Sequence, residues 1–259
     1  MGELRALIFD VDGTLANTER DGHRVAFNYA FAEAGLDWEW SALLYGELLA
    51  IAGGKERIRF YIDEYRPNFQ PPTDLNTFIA DLHATNTRYY QQLVAKGGIP
   101  LRRGVKRLLK EAREQGIRLA IATTAALPNV TALLEHTLGP DSVSWFEVIA
   151  AGDMVPAKKP APDIYFYALE AMGLNPEECL VFEDSHHGLL ASLQAKLKTV
   201  VTVNSYTREQ NFSGAILVLN QLGEPDQPFT VLAGDAGDSR YMDMSLVYRL
   251  HSGYFDATS

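Results

Sequence analysis

Near its N-terminus the chain contains the segment Leu4-Arg5-Ala6-Leu7-Ile8-Phe9-Asp10-Val11-Asp12-Gly13-Thr14-Leu15. Residues 4–9 are a nearly continuous apolar run, which is typical of a buried strand in a parallel sheet. Because side chains two apart in an extended chain point the same way, we expect Asp10 and Asp12 to project together beyond the end of this strand. Gly13 allows a sharp turn there. Open α/β folds bind ligands at this sheet edge, so the two carboxylates indicate a divalent cation, a phosphate group or both.

Further strand-like segments alternate with helical patterns along the rest of the chain. The strand-like segments lie at residues 118–123, 145–150, 178–182, 199–203 and 215–219, and the helical patterns at residues 104–115, 128–138, 162–172 and 188–196. Such alternation predicts a parallel sheet with helices on both faces. The expected fold class is α/β, with a Rossmann-like, doubly wound parallel sheet as its core.

A long helical insert separates the first two strands. The connection is about a hundred residues long, which is far beyond an ordinary loop, and it has helical patterns at residues 20–34, 41–51, 55–65 and 75–95. We expect residues 17–96 to form a helical domain of their own, and residues 1–16 with 97–259 to form the α/β core. The segment after Leu219, which contains Pro225 and Pro228, is expected to wrap on the core.

The charge and composition of the chain restrict its partners. With 259 residues, a formal net charge of −10 and a pI near 5.1, the chain is a poor match for nucleic acid or anionic membranes. An anionic small molecule is compatible, because a metal ion and local cations can reverse the sign of a pocket's charge.

The sequence has one cysteine, Cys179, and shows neither a signal peptide nor the ~20 apolar residues of a membrane helix. We expect a cytoplasmic location, an inert Cys179 thiol and no obligate protein partner.

Three later segments place polar side chains at the same sheet edge. They contain Thr123 and Thr124 after the second strand, Lys158 and Lys159 ahead of a helix, and Glu183 and Asp184 after the strand at 178–182. Four acidic side chains at one edge repel one another unless a cation lies between them. Oxygen ligands of this kind suit a hard ion, so the sequence predicts a Mg²⁺ site.

These motifs together resemble those of the haloacid dehalogenase-like hydrolase superfamily. The match consists of Asp10-Val11-Asp12-Gly13-Thr14, then Thr123, then Lys159 in Lys-Pro-Ala-Pro-Asp, and finally Glu183-Asp184. Each motif is short, but four of them at matching strand ends form a specific signal. The helical insert after the first motif is similar to the cap domain of that family.

The resemblance implies phosphoryl transfer through a covalent aspartyl-phosphate. Asp10 is implied as the nucleophile and Asp12 as the general acid and base. Thr123 and Lys159 are implied to hold the phosphoryl oxygens. The implied Mg²⁺ ligands are the Asp10 carboxylate, the Asp12 main-chain carbonyl and Asp184, with Glu183 bound directly or through an intermediate group. Family members with dehalogenase activity lack the second aspartate, so Asp12 counts against that activity.

A closer resemblance, to the CbbY branch of the family, lies mainly in the insert. It rests on Thr18-Glu19-Arg20-Asp21-Gly22-His23-Arg24-Val25-Ala26-Phe27-Asn28, on Gly53-Gly54-Lys55-Glu56-Arg57-Ile58 and on Ala150-Ala151-Gly152-Asp153. Members of that branch hydrolyse xylulose-1,5-bisphosphate, a by-product that inhibits Rubisco of the Calvin cycle, so the implied partner is a small sugar phosphate. The implied substrate-binding residues are Asn17, His23, Gly53, Gly54, Lys55, Arg57 and Thr124. Asn17 stands where an acidic residue is expected.

The physical chemistry of the insert is compatible with a second phosphate. Backbone N–H groups at Gly53 and Gly54 can approach an anion at the start of a helix. Cations at that position, such as Lys55 and Arg57, are mildly unfavourable unless an anion is bound. The alternative is an ordinary exposed helix face, which the charge pattern of Lys55 and Arg57 supports about equally.

Other interpretations of the chain stay open. Asp10 and Asp12 can also end a strand in a simple turn. A phosphosugar mutase of the β-phosphoglucomutase type shares the four motifs and a similar cap. Another small phosphate ester could be the substrate, and a non-catalytic sugar-phosphate-binding protein could retain the pocket. Trp38 and Trp40 are expected to pack the insert against itself.

Overall fold

The structure, a computed structural model, describes residues 2–253 and contains one seven-stranded sheet in that range. Its strands are β1 (Ala6–Phe9), β2 (Arg118–Ala122), β3 (Val148–Ala150), β4 (Cys179–Glu183), β5 (Lys198–Thr202), β6 (Leu217–Leu219) and β7 (Val231–Gly234). They are ordered β3-β2-β1-β4-β5-β6-β7. All neighbours pair in parallel except β6 and β7, which are antiparallel. The central position of β1 places the residues that follow it between the ends of β2 and β4.

The helices lie in two groups along the chain. Between β1 and β2 are α1 (Arg24–Glu33), α2 (Ala42–Leu48), α3 (Gly54–Tyr65), α4 (Leu75–Ala95) and α5 (Val105–Glu114). After β2 are α6 (Leu127–Leu138), α7 (Asp163–Met172), α8 (His186–Gln194) and α9 (Met244–Ser252). A π-helical turn, Glu19–His23, leads into α1. No helix within residues 2–253 has the length and apolar character needed to cross a membrane.

Apolar side chains cover both faces of the sheet. On one face, Leu7 and Phe9 of β1 are buried in a cluster with residues of α5, α6 and α9. On the other face, Ala6 and Ile8 are buried with residues of α7. The alternation along β1 follows from the two-residue period of a strand, and burial on both faces explains its continuous apolar run. The predicted doubly wound α/β fold is confirmed.

The helices α1 to α4 have an apolar cluster of their own. Aromatic side chains fill it, including Phe27, Phe31, Trp38, Trp40 and Tyr61. Trp40 packs edge-on against Phe31 at 4.9 Å between ring centroids, and Trp38 against Tyr61 at 5.3 Å. The two tryptophans therefore pack the insert against itself, as expected from the sequence.

The C-terminal segment contains two elements that the sequence patterns did not indicate. Strand β7 is exposed along its length at the sheet edge, so it lacks the apolar alternation that identifies a buried strand. Helix α9 is capped at its N-terminus by Asp243, whose carboxylate accepts from Leu246 N at 2.8 Å. Its residue His251 lies 2.9 Å from Glu177 O, next to β4. The expectation that this segment wraps on the core is met up to residue 253, and the rest lies outside the described residues.

Candidate active site

The turn after β1 holds the Asp10 carboxylate at the end of the sheet. Asp10 N donates to Phe182 O of β4 at 3.0 Å. Its Oδ1 accepts from Lys159 Nζ at 2.8 Å, and its Oδ2 accepts from Thr14 Oγ1 at 3.2 Å. The turn depends on Gly13, which has a φ of 93° and whose added Cβ would collide with Asp184 Oδ2. Only glycine fits this position, for both reasons.

A buried lysine connects two of the acidic side chains. Lys159 Nζ lies 2.6 Å from Glu183 Oε1 and 2.8 Å from Ala122 O, as well as next to Asp10. Tyr165 OH donates to the same Glu183 oxygen. Although burial opposes it, attraction by Asp10 and Glu183 raises the pKa of Lys159. The ammonium group is therefore charged and directed at the oxygen of Asp10.

Three buried carboxylates form a candidate metal centre. Asp10, Glu183 and Asp184 each contribute an oxygen, and these oxygens lie within 4.8 Å of one another. Burial raises the pKa of Asp10 to about 7, reinforced by Glu183 and Asp12 and opposed by Lys159. Burial and the neighbouring carboxylates also raise the pKa of Asp184. The carboxylates repel one another, and a bound cation would relieve this repulsion. Because all the donor atoms are oxygens, a hard divalent cation such as Mg²⁺ fits the site.

Asp12 belongs to a different hydrogen-bonded group from Asp10. Its Oδ1 accepts from Thr18 Oγ1 at 2.5 Å and lies 3.2 Å from His23 Nε2. Burial opposes ionisation of both partners, yet their mutual attraction lowers the pKa of Asp12 and raises that of His23. The His23 ring stacks on Tyr90 at 4.2 Å between centroids. The mutual attraction therefore favours a protonated His23 beside an ionised Asp12, whose carboxylate lines the cavity.

Three residues of the insert form a second polar group that faces the sheet edge. Tyr45 OH donates to Glu19 Oε2 at 2.5 Å and accepts from Arg57 Nη1 at 2.9 Å. Arg57 is also anchored by its Nε, which donates to Leu48 O at 3.2 Å. Its side chain is 7% exposed. A buried, fixed guanidinium of this kind is well suited to an anionic ligand.

A cavity of about 330 Å³ separates the two polar groups. Its wall contains Asp10, Asp12, Lys159 and Asp184 from the sheet edge, and Glu19, Gly46 and Arg57 from the insert. A smaller space of about 40 Å³ adjoins it, and residues around that space include Gly53, Gly54, His83, Thr124 and Asn129. Both spaces border Asp12, so one molecule could extend across them.

Comparison with known proteins identifies the family. The model of the haloacid dehalogenase-like hydrolases matches residues 4–196. The chain belongs to this family. The predicted enzyme class, a haloacid dehalogenase-like phosphatase, is confirmed by this membership.

Within the family, the chain is similar to CbbY proteins. It is 45% identical to the plasmid-encoded CbbY protein of Cupriavidus necator over 250 residues, which are 96% of this chain and 98% of that protein. It is 50% identical to CbbY of Rhodobacter capsulatus over 214 residues, covering 82% and 91% of the two chains. The crystal structure of a mutant CbbY from Rhodobacter sphaeroides, in complex with xylulose-1,5-bisphosphate, matches with a TM-score of 0.79 and 45% identity, covering 84% and 94%. The predicted relationship to the CbbY branch is confirmed.

Most of the predicted site residues of this family member lie around the two adjoining cavities, and a few lie elsewhere. Asp10, Asp12, Lys159, Asp184, Arg57 and Thr124 line the larger cavity, while His23, Gly53 and Gly54 line the smaller one. Thr123 is buried at the end of β2, where its Oγ1 accepts from Ala125 N at 3.2 Å. Glu183 is buried at the end of β4, where it accepts a hydrogen bond from Lys159. The structure does not bring Lys55 or Asn17 into this group, since Lys55 pairs with Asp153 and Asn17 is exposed on a neighbouring groove.

Several residues in or next to the cavity wall had no signal in the sequence. Asn204 and Tyr206 line the cavity from the loop after β5. Tyr45 of α2 lies behind the wall, hydrogen-bonded to Glu19 and Arg57. None of them belongs to a recognisable short motif, and their positions depend on how the insert packs over the sheet. Glu19, from the segment Thr18–Asn28, also lines the cavity, and it accepts the hydrogen bond of Tyr45.

Proposed function

We propose that this protein is a Mg²⁺-dependent phosphatase of sugar bisphosphates, with xylulose-1,5-bisphosphate as its substrate and an aspartyl-phosphate as its intermediate. The observation that supports it most is the buried Asp10 carboxylate, held by Lys159 at 2.8 Å and facing the Arg57 guanidinium across one cavity. A related CbbY crystal structure contains the same bisphosphate. Such an activity removes an inhibitor of Rubisco, and we propose that it operates in the cytoplasm.

The first step of the proposed reaction is attack by Asp10. A carboxylate oxygen of Asp10 forms a bond to phosphorus, and the bond from phosphorus to the sugar oxygen breaks. Lys159 neutralises charge on the phosphoryl oxygens, while Thr123 and the backbone at the end of β2 help to position them. Thr14 donates to the other Asp10 oxygen at 3.2 Å, which restricts rotation of the nucleophile.

Proton transfer is assigned to Asp12. The leaving sugar oxygen takes a proton from Asp12, and His23, whose Nε2 lies 3.2 Å from Asp12 Oδ1 and whose pKa is raised, is placed to supply that proton. In the second step, Asp12 accepts a proton from water as the water attacks phosphorus. The Asp10–phosphorus bond then breaks and releases inorganic phosphate. The lowered pKa of Asp12 favours the ionised carboxylate, which is the form that can accept this proton.

The metal has a defined place in the proposal. Asp10, Asp184 and the Asp12 main-chain carbonyl would hold Mg²⁺. Glu183 would contribute by positioning Lys159 next to the metal site. The bound ion supplies charge neutralisation that lets one anion approach another. Glu183 already accepts from Lys159 and Tyr165, so its contribution is the placement of these groups.

The insert is proposed to act as a cap domain, residues 17–96, hinged on the core of residues 1–16 and 97–259. Its contribution is recognition of the phosphate that is not transferred. Arg57 offers a buried cation, and Gly53 and Gly54 offer backbone N–H groups at the start of α3. Closure of the cap would exclude water while Asp10 carries the phosphoryl group.

The test is phosphate release from matched substrates. Wild type and Asp10→Asn are assayed with Mg²⁺ on xylulose-1,5-bisphosphate, on pentose monophosphates and on other small phosphate esters. We expect wild type alone to release inorganic phosphate, with the bisphosphate preferred. Return of the phosphoryl group to a sugar would favour a mutase instead. Equal inactivity of both proteins on the whole panel would favour a binding protein.

A further inference from the structure

The loop after β5 contains a side chain that links the candidate metal centre to the backbone of that loop. Asn204 Nδ2 donates to Asp184 Oδ2 at 2.6 Å. At its other end, Asn204 Oδ1 accepts from the backbone N of Tyr206 at 2.8 Å, which forms an Asx turn. Its main-chain N donates to Thr207 Oγ1 at 3.0 Å. Both ends of the amide are thus engaged, and its orientation is determined by its partners.

The residue held by this turn contacts the helical insert. Tyr206 packs against Gly46 of α2, where an added Cβ would lie 3.1 Å from the tyrosine ring. Its ring lies edge-on to Tyr45 at 6.2 Å between centroids. Among the described residues its buried hydroxyl has no hydrogen-bond partner, so the contact with the insert is made by the ring. The Tyr206 ring therefore packs this loop against α2.

The contacts continue from Tyr206 to the anion-binding group of the insert. Tyr45, which meets the Tyr206 ring, donates to Glu19 and accepts from Arg57. A chain of direct contacts thus runs from the Asp184 carboxylate through Asn204, Tyr206 and Tyr45 to Arg57. Through these contacts, a change in the orientation of Asp184 would shift α2, and a shift of α2 would in turn reorient Asp184.

We propose that Asn204 is a positioning residue that orients Asp184 for Mg²⁺ and, through Tyr206, couples metal binding to seating of the helical insert. The inference rests on the proposed function for the identity of the metal. Groups that orient a metal-binding carboxylate affect metal affinity although they do not touch the metal. Since coupling is reciprocal, Mg²⁺ stabilises the seated insert, and the seated insert strengthens Mg²⁺ binding by the same factor.

The first experiment measures Mg²⁺ affinity by calorimetry for wild type, Asn204→Ala and Asn211→Ala. Asn211 is a matched control because its Oδ1 accepts from Ser213 N at 2.9 Å, the same turn in the same loop. It borders the cavity as Asn204 does, but its side-chain hydrogen bond is to the loop backbone and not to a carboxylate. We expect Asn204→Ala to weaken Mg²⁺ binding by about tenfold or more, the usual effect of removing an orienting partner. Asn211→Ala should remain within about twofold of wild type on the same basis.

The second experiment measures amide hydrogen exchange in α2 with and without Mg²⁺. In wild type, we expect Mg²⁺ to slow exchange of α2. In Asn204→Ala, Mg²⁺ should no longer do so, even when the site is saturated. Tyr206→Ala should weaken Mg²⁺ binding severalfold, although it leaves the Asn204 side chain intact. Tyr206→Phe should keep the wild-type affinity, because the ring and not the hydroxyl makes the contact with the insert.

These measurements separate the possible failures. Asn204→Ala with wild-type Mg²⁺ affinity would show that Asn204 does not position Asp184. Normal Mg²⁺-dependent protection of α2 in that variant, or normal affinity in Tyr206→Ala, would overturn the coupling. Tyr206→Ala also tests the coupling independently if Asn204→Ala folds poorly. Absence of Mg²⁺ binding in wild type would instead overturn the proposed function, and this inference with it.

Discussion

Lys55 Nζ of helix α3 lies 2.7 Å from Oδ2 of Asp153, which follows β3 in the core. Lys158 lies 3.0 Å from the other oxygen of Asp153 and 2.7 Å from Glu56 of α3. Hydrogen bonds from Lys55 and Lys158 lower the pKa of Asp153 to about 2. The lysine that the sequence predicted to bind substrate therefore joins the insert to the core when no substrate is present, and a phosphate would have to compete with Asp153 for it.

Replacement of Lys55 tests the recognition of the second phosphate. We expect Lys55→Ala to lower kcat/KM for the bisphosphate by roughly tenfold or more, since a hydrogen bond to a charged group contributes about 1.5–3 kcal/mol. A monophosphate should lose much less. Asp153→Asn, which frees Lys55 without removing it, is the matched variant and should lower KM for the bisphosphate. Equal losses on both substrates in Lys55→Ala would contradict recognition at two ends.

Replacement of Asp10 tests both the chemistry and the electrostatics of the site. Asp10→Asn should lower kcat by more than about 10³-fold, because the nucleophile is removed. It should also stabilise the metal-free protein. The pKa of Asp10 is raised from 3.8 to about 7, so its favourable contribution to folding is complete below pH 4 and is lost as the pH rises through 7.

The free energy of unfolding by urea, measured with a chelator, checks the second part. The advantage of Asp10→Asn over wild type should be small at about pH 4 and grow to the order of 1–3 kcal/mol by about pH 7.5. Thr14→Val, which leaves the carboxylate in place, is a suitable control. An advantage that stays constant with pH would show that Asp10 does not titrate in this range.

Mg²⁺ binding should be linked to proton release. Because burial raises the pKa of Asp10 to about 7, metal binding near pH 6 must displace a proton from that carboxyl group. We expect Mg²⁺ affinity to increase between about pH 6 and pH 8 and then to level off. Calorimetry in buffers of different ionisation enthalpy measures the protons released. An affinity that is independent of pH over this interval would contradict the raised pKa.

The lone cysteine should be chemically inert in the folded protein. Cys179 is fully buried in β4, and burial raises the pKa of its thiol to about 12. It should therefore not react with a disulfide reagent at pH 8 on the time scale of minutes, and a single thiol should react once denaturant is added. Activity should be unchanged by the reagent under native conditions. Rapid reaction of the folded protein would indicate an accessible thiolate.

The sheet and the chemistry of its edge were predictable because both depend on local patterns. A continuous apolar run followed by Asp10, Asp12 and Gly13 specifies a buried strand and a turn, whatever the rest of the chain does. The same holds for Lys159 ahead of α7 and for Glu183 and Asp184 after β4. Strand β7 was missed because an exposed edge strand has no buried face, and therefore no alternating apolar pattern to detect.

The amino-acid sequence alone was sufficient to determine the fold class, the family and the set of acidic and basic side chains at the sheet edge. The tertiary structure decided how these side chains are shared. Lys159 joins Asp10 to Glu183, Asp12 pairs with His23, and Asn204 reaches Asp184. These contacts join residues far apart in the chain. The strand and helix patterns that determine the fold extend over a few residues, whereas a hydrogen bond depends on how separate elements pack together.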